Sequence, residues 1–154
     1  MSESVIECIV RIAAPQEQVW ATISDTSRYA EWVENTDEVL SASSVVATAG
    51  VTYEESNTVA GPLKGRSRWR VDAADAPHRT VHSGEGIAVV NDMRLEMTLA
   101  PDGDGTRYEH RLCYTPAFGP LGPVIDLVLR PSVQRATERS VQKLKTICER
   151  EAKA

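Results

Sequence analysis

The segment DMRLEMTLAPDGDGTRYEHRLCY, Asp92–Tyr114, constrains this chain more than any other. Met93, Leu95, Met97 and Leu99 alternate with Arg94, Glu96 and Thr98 ahead of the turn residues PDGDG. Beyond the turn, Tyr108, His110, Leu112 and Tyr114 alternate with Arg107, Glu109, Arg111 and Cys113. A period of two puts successive side chains on opposite faces of a strand, so each arm has one dry and one wet face. Two such arms around a Gly- and Asp-rich turn form an antiparallel hairpin whose dry face needs a cover.

The same alternation recurs upstream. In SVIECIVRI, Ile6, Cys8, Val10 and Ile12 share one face, with Glu7 and Arg11 on the other. Further strands are expected over Glu38–Val46, Val51–Val59, Lys64–Ala73, His78–Gly84, Val89–Leu99 and Thr106–Thr115. They are separated by TAG, AGP, DAADAP, GEG and PDGDG, all turn chemistry. Seven strands joined by short turns imply an antiparallel meander.

Two stretches break the pattern. Between the first and second strands, Pro15 suits a first helical position, and Val19, Trp20 and Ile23 form a short apolar stripe. Ser24 and Asp25 then stop that helix and can cap a second one carrying Tyr29, Trp32 and Val33. Helices this short draw their stability from what they pack against. From about Gly122 to Lys153 the period becomes helical, with Val124, Leu127, Val128, Val133, Ala136, Val141, Leu144 and Ile147 as the apolar positions. Pro131 inside this run predicts a kink or loose turn near Val128–Pro131.

Composition removes several function classes. A chain of 154 residues with net charge −5 is one domain, poorly suited to nucleic acid. No stretch approaches the roughly 18 apolar residues of a membrane span, and the acidic N-terminus MSESVIECIV lacks a leader's basic start, so the cytoplasm is the expected compartment. Cys8, Cys113 and Cys148 are far apart and odd in number, which reads as reduced thiols. The three histidines lack metal-ligand spacing, and neither H-E-x-x-H nor G-x-S-x-G occurs. No metal and no cofactor is expected.

The order of one strand, two short helices, six strands and one long helix resembles the helix-grip fold of the START/Bet v 1-like (SRPBCC) superfamily. It is closest to the polyketide cyclase/dehydrase-type members. The residues that carry the resemblance are APQEQVW…SDTSRYAEW, GPLKGRSRWRVDAADAPHRTV, LAPDGDGTRYEHRLCY and VQKLK, and they cover nearly the whole chain. The resemblance implies an α+β single domain over residues 1–154, its sheet curled around the C-terminal helix. Trp20 and Trp32 are then expected to plug one end of the cup.

Such a cup leaves a cavity unless large side chains fill it, and this chain has one Phe and three Met. Expected lining residues are Tyr53, Trp69, Met93, Leu95, Met97, Tyr108, His110 and Leu112 from the sheet, with Val124, Leu127 and Val128 from the helix. Each is equally a core position. His110 either orients a ligand carbonyl, acts as a general base, or is a structural histidine bonded to Tyr53 or to backbone. The register of His82 is open. Arg66, Arg68 and Arg70 alternate with Ser67, Trp69 and Val71, and a solvated outer face is one reading. The aromatase/cyclase resemblance implies the other, with Arg70 holding a polyketide oxygen inside. The likeness to plant hormone receptors of the same superfamily implies a mobile gate at Val59–Gly65, where a plain tight turn is the alternative.

Two functions compete. One is binding of a small hydrophobic molecule, lipid-like or polyketide/aromatic, by a monomer or weak homodimer. The other is a cyclase, aromatase or dehydratase using the same cavity, with His110, Tyr108 and Arg70 as the catalytic candidates. A third role, protein interaction, calls for a large exposed apolar patch, and the sequence shows none.

Overall fold

The computed structural model describes residues 3–60 and 62–154. The strands are β1 (Ser4–Ile12), β2 (Thr36–Ala42), β3 (Thr52–Ala60), β4 (Leu63–Asp75), β5 (Arg79–Glu85), β6 (Val90–Asp102) and β7 (Gly105–Pro116). Helix α1 (Gln16–Ile23) and the single turn α2 (Tyr29–Trp32) follow β1, and α3 (Gly122–Ala152) closes the chain. The strands form one antiparallel sheet in the order β1-β7-β6-β5-β4-β3-β2. Every neighbour except β1–β7 is sequential, as short turns between alternating strands require. This is the expected helix-grip architecture.

Register carries the alternation across the sheet. Met93 lies opposite Tyr114, Leu95 opposite Leu112, and Met97 opposite His110, so the dry faces of both hairpin arms coincide. β1 extends this face, with Ile6 opposite Leu112 and Cys8 opposite His110. On the far side, Tyr53 of β3 faces Trp69 of β4, which faces Gly84 of β5. Gly84 is a steric requirement, because a Cβ there would lie 2.6 Å from the Trp69 ring. The indole can therefore lie flat on the concave face, stacked on Tyr53 with ring centroids 6.3 Å apart.

Helix α3 divides into two halves. Thr137, Ser140, Val141, Leu144, Ile147 and Cys148 are buried, and Val141 and Leu144 pack with Val19, Ile23, Tyr29 and Trp32 into the main core. Full burial of each aliphatic side chain there stabilises the fold by about 1.5–3 kcal/mol. The half nearer the N-terminus turns Asp126, Leu129 and Val133 toward the sheet instead. Asp126 accepts hydrogen bonds from Ser4 Oγ at 2.7 Å and from the Tyr114 phenol at 2.6 Å, which tethers this end to β1 and β7.

That phase corrects the expectation for Val124, Leu127 and Val128. They are 61%, 77% and 80% exposed and point away from the sheet. The apolar stripe is the outer one here, because Asp126 is the residue bonded inward. Phe118 and Leu121 are exposed as well, so this stretch presents several outward apolar side chains where no exposed apolar patch was expected. No loose turn interrupts the helix near Val128–Pro131, since α3 continues through Pro131. Pro131 is exposed, so the carbonyl that loses its N–H partner is open to water.

Trp32 is buried as expected for an end plug, whereas Trp20 is only half-buried against the core. Cys8, Cys113 and Cys148 are free thiols. The Val59–Gly65 turn includes Gly61, which lies outside the described residues.

Candidate functional site

A solidly filled sandwich would seal the middle of the concave face. Here Leu95, Leu112 and Trp69, all at that middle, are only half-buried. Leu129 and Val133 of α3, packed in the same cluster as Leu112 and Trp69, are half-buried too. This part of the face between sheet and helix is thus less completely buried than the main core. Of the expected lining residues, Tyr53, Met93, Met97, Tyr108 and His110 share this face and are buried. Val124, Leu127 and Val128 do not join them.

Polar groups punctuate the apolar wall. His82, fully buried, takes Tyr53 Oη at 2.7 Å on Nδ1 and lies 3.0 Å from Thr80 Oγ1 through Nε2. Thr80 Oγ1 donates to the Ala73 carbonyl at 3.2 Å. Proton counting then fixes the chain: the tyrosine donates to Nδ1, and Nε2–H donates to Thr80. His110 repeats the arrangement with Tyr108 Oη 2.7 Å from Nδ1. With no other partner for the buried tyrosine hydroxyl among the described residues, donation to Nδ1 leaves the fewest polar groups unmatched, which puts the His110 proton on Nε2. That N–H has no acceptor among the described residues. Burial holds both imidazoles down, to about 4, so both are neutral near pH 7. The reading of His110 as bonded to Tyr53 is corrected, because Tyr53 serves His82.

The short helices bring aromatic rings onto these pairs. Tyr29 lies 5.1 Å from Tyr53, and Trp32 lies 6.4 Å from His110, its ring nearly perpendicular. Tyr29 Oη and Trp32 Nε1 are buried with no partner among the described residues. A buried polar atom left unmatched costs about 1–3 kcal/mol, so these groups mark a place where a partner is wanted.

Periodicity did not single out Glu55, which is only 4% exposed. Its Oε2 accepts from Thr36 Oγ1 at 3.1 Å and Asn57 Nδ2 at 3.4 Å, with Ser67 Oγ 3.3 Å away. The one Ser67 proton goes to the nearer Asn57 Oδ1 at 2.8 Å, and Ser67 Oγ accepts from Trp69 Nε1 at 3.0 Å. Desolvation pushes the Glu55 carboxyl up, against the lowering effect of these donors. One signal pointed here: if Tyr53 faces inward on β3, Glu55 and Asn57 must as well.

The arginines stay outside. Arg68 and Arg70 are 70% and 68% exposed, Arg68 lying 3.4 Å from Glu85 and Arg70 4.0 Å from Asp72. Arg66 is exposed as well. Trp69 takes the inward position between them, so Arg70 cannot hold an oxygen in the interior, and that expectation is corrected. Arg68 and Arg70 line a hollow of about 990 Å³ across the outer face, together with Glu54, Glu85, Asp92 and Arg94. Its charges are mixed and solvated. Among the described residues no His, Cys, Asp and Glu side chains converge as a metal site, and no helix is long and apolar enough to cross a membrane.

A curled seven-stranded antiparallel sheet gripping one long C-terminal helix defines a helix-grip class of protein. The chain belongs to the family described as polyketide cyclase/dehydrase and lipid transport, which it matches over residues 5–149. It is 24% identical over 134 residues to Toxin Rv0910 of Mycobacterium tuberculosis, spanning 86% of this chain and 92% of that protein. Among solved structures it resembles the Zhui aromatase/cyclase of Streptomyces sp. R1128, with a TM-score of 0.82 at 19% identity, covering 97% and 95% of the two chains. It also resembles Ara h 8.0201, with a TM-score of 0.72 at 10% identity and coverage of 96% and 98%. At these identities the structural likeness establishes the shared fold.

Proposed function

We propose that this protein binds a small, mostly apolar molecule carrying oxygen functions in the interior between the sheet and α3. The observation that carries this reading is the incomplete burial of Leu95, Leu112 and Trp69 on the concave face, where a filled core would bury them fully. The unmatched Nε2–H of His110 supports an acceptor oxygen on the ligand. The family description and the aromatase/cyclase likeness favour a lipid-like or polyketide-like compound. Native mass spectrometry of freshly purified protein tests this: a co-purifying mass released by denaturation supports the reading, and an apo spectrum that apolar probes leave unchanged contradicts it.

A second reading, cyclisation or dehydration of a polyketide-like substrate, draws on the same histidine. A neutral imidazole presenting N–H can polarise a carbonyl without itself carrying charge. Under that reading His110→Gln lowers turnover by about 10²–10⁴ while ligand affinity changes by only a few-fold. Under the binding reading the same change weakens affinity, and there is no turnover to lose.

A further inference from the structure

Glu55 is a buried carboxylate on the inward face of β3 with no cation beside it among the described residues. Buried charges are ordinarily paired, because desolvating an isolated one is costly. Here the Thr36 hydroxyl and the Asn57 amide donate to a single oxygen, Oε2, and Ser67 Oγ lies 3.3 Å from it. The other oxygen, Oε1, accepts no hydrogen bond among the described residues. Glu55 shares the inward face of β3 with Tyr53, whose hydroxyl already reaches into the interior to His82. The Tyr29 phenol, held up first by burial and then by the Glu55 charge, feels that carboxylate and has no partner of its own.

We propose that Glu55 selects the ligand: its Oε1 accepts a hydrogen bond from a hydroxyl group of the bound molecule. This inference rests on the binding reading above and adds a chemical class to it. His110 offers a donor on β7, and Glu55 offers an acceptor four strands away on β3. The interior therefore favours a hydroxylated molecule over one whose oxygens are all acceptors. The hydrogen-bonded mesh also fixes what a glutamine would do. The Thr36 and Asn57 donors hold the amide oxygen at the Oε2 position, so the NH₂ group takes the place of Oε1. Glu55→Gln thus turns an acceptor into a donor without changing shape.

The test uses two probes of similar outline, 2-naphthol and 2-methoxynaphthalene, titrated at pH 8 to favour the ionised carboxyl. The wild type is expected to bind 2-naphthol about ten-fold more tightly or better, since hydrogen bonds to charged groups are the stronger ones. In Glu55→Gln that preference should vanish or reverse. A wild-type preference left intact by Glu55→Gln overturns the proposal, as does a wild type that binds both probes equally well. If the wild type binds neither probe, the binding reading falls and this inference falls with it. Should Glu55→Gln fail to fold, Glu55→Met, apolar and of similar size, is expected to abolish the preference. Its retention there is equally contrary.

Discussion

Tyr53–His82 and Tyr108–His110 are the same pair built twice on one concave face, each with the phenol 2.7 Å from Nδ1. They differ at the opposite ring nitrogen. His82 passes its proton to Thr80, which passes one on to the Ala73 carbonyl, so its chain ends in backbone. His110 sits across from Cys8 and Met97, neither of which is a good acceptor, and its N–H ends in the interior. One pair is closed by protein and therefore structural. The other is left for something else to complete.

The largest test of the comparison acts on both pairs together. Each imidazole is held at about 4 in the fold, against 6.5 when unfolded. The unfolded chain takes up protons first as pH falls, so stability is present above about pH 6.5 and is lost on the way down to about pH 4. Each site should contribute roughly 3 kcal/mol to that loss. Urea midpoints at pH 7 and pH 4.5 should differ accordingly, with the difference reduced in either His→Gln variant. A flat profile would refute the burial of both rings.

Next comes the separation of the pairs by stability. His82→Gln breaks a chain with partners on both sides and should cost about 3 kcal/mol, whereas His110→Gln disturbs one partner and should cost about 1–2 kcal/mol. Equal losses would mean that His110 is as closed as His82. Gly84→Ala should cost about 2 kcal/mol by driving a methyl group into the Trp69 indole. Because Trp69 stacks on Tyr53, the disturbance should reach the His82 pair and spare His110, which imidazole chemical shifts can follow. Smallest of all, Val128→Ser should shift stability by less than about 0.5 kcal/mol and leave probe binding unchanged, as suits an outward side chain.

How far the sequence carried this account depends on which residues are considered. The hairpin arms were legible because a strand has only two faces, and Met93, Leu95, Met97, Tyr108, His110 and Leu112 all lie on the inner one. The start of α3 misled, since Val124, Leu127 and Val128 make a plausible apolar stripe. Only the fold shows that Asp126 turns inward to Ser4 and Tyr114, which rotates that stripe to the outside. Glu55 was hidden for a related reason. A carboxylate reads as a surface residue until its neighbours across the strands, Thr36 and Ser67, are known, and pairing between strands is not written in local pattern. The arginines were the reverse case, where local alternation with Trp69 already favoured the outer face.

The central claim, that His110 is open toward a ligand and His82 is not, is tested most directly by the imidazole nitrogens. Nitrogen-15 spectra of the labelled protein should show both histidines as Nε2–H tautomers at pH 7. On saturation with 2-acetonaphthone, whose carbonyl supplies an acceptor, the His110 Nε2 resonance should move while both His82 nitrogens stay in place. Movement of His82 alone, or of neither ring although the probe is bound, would contradict the account.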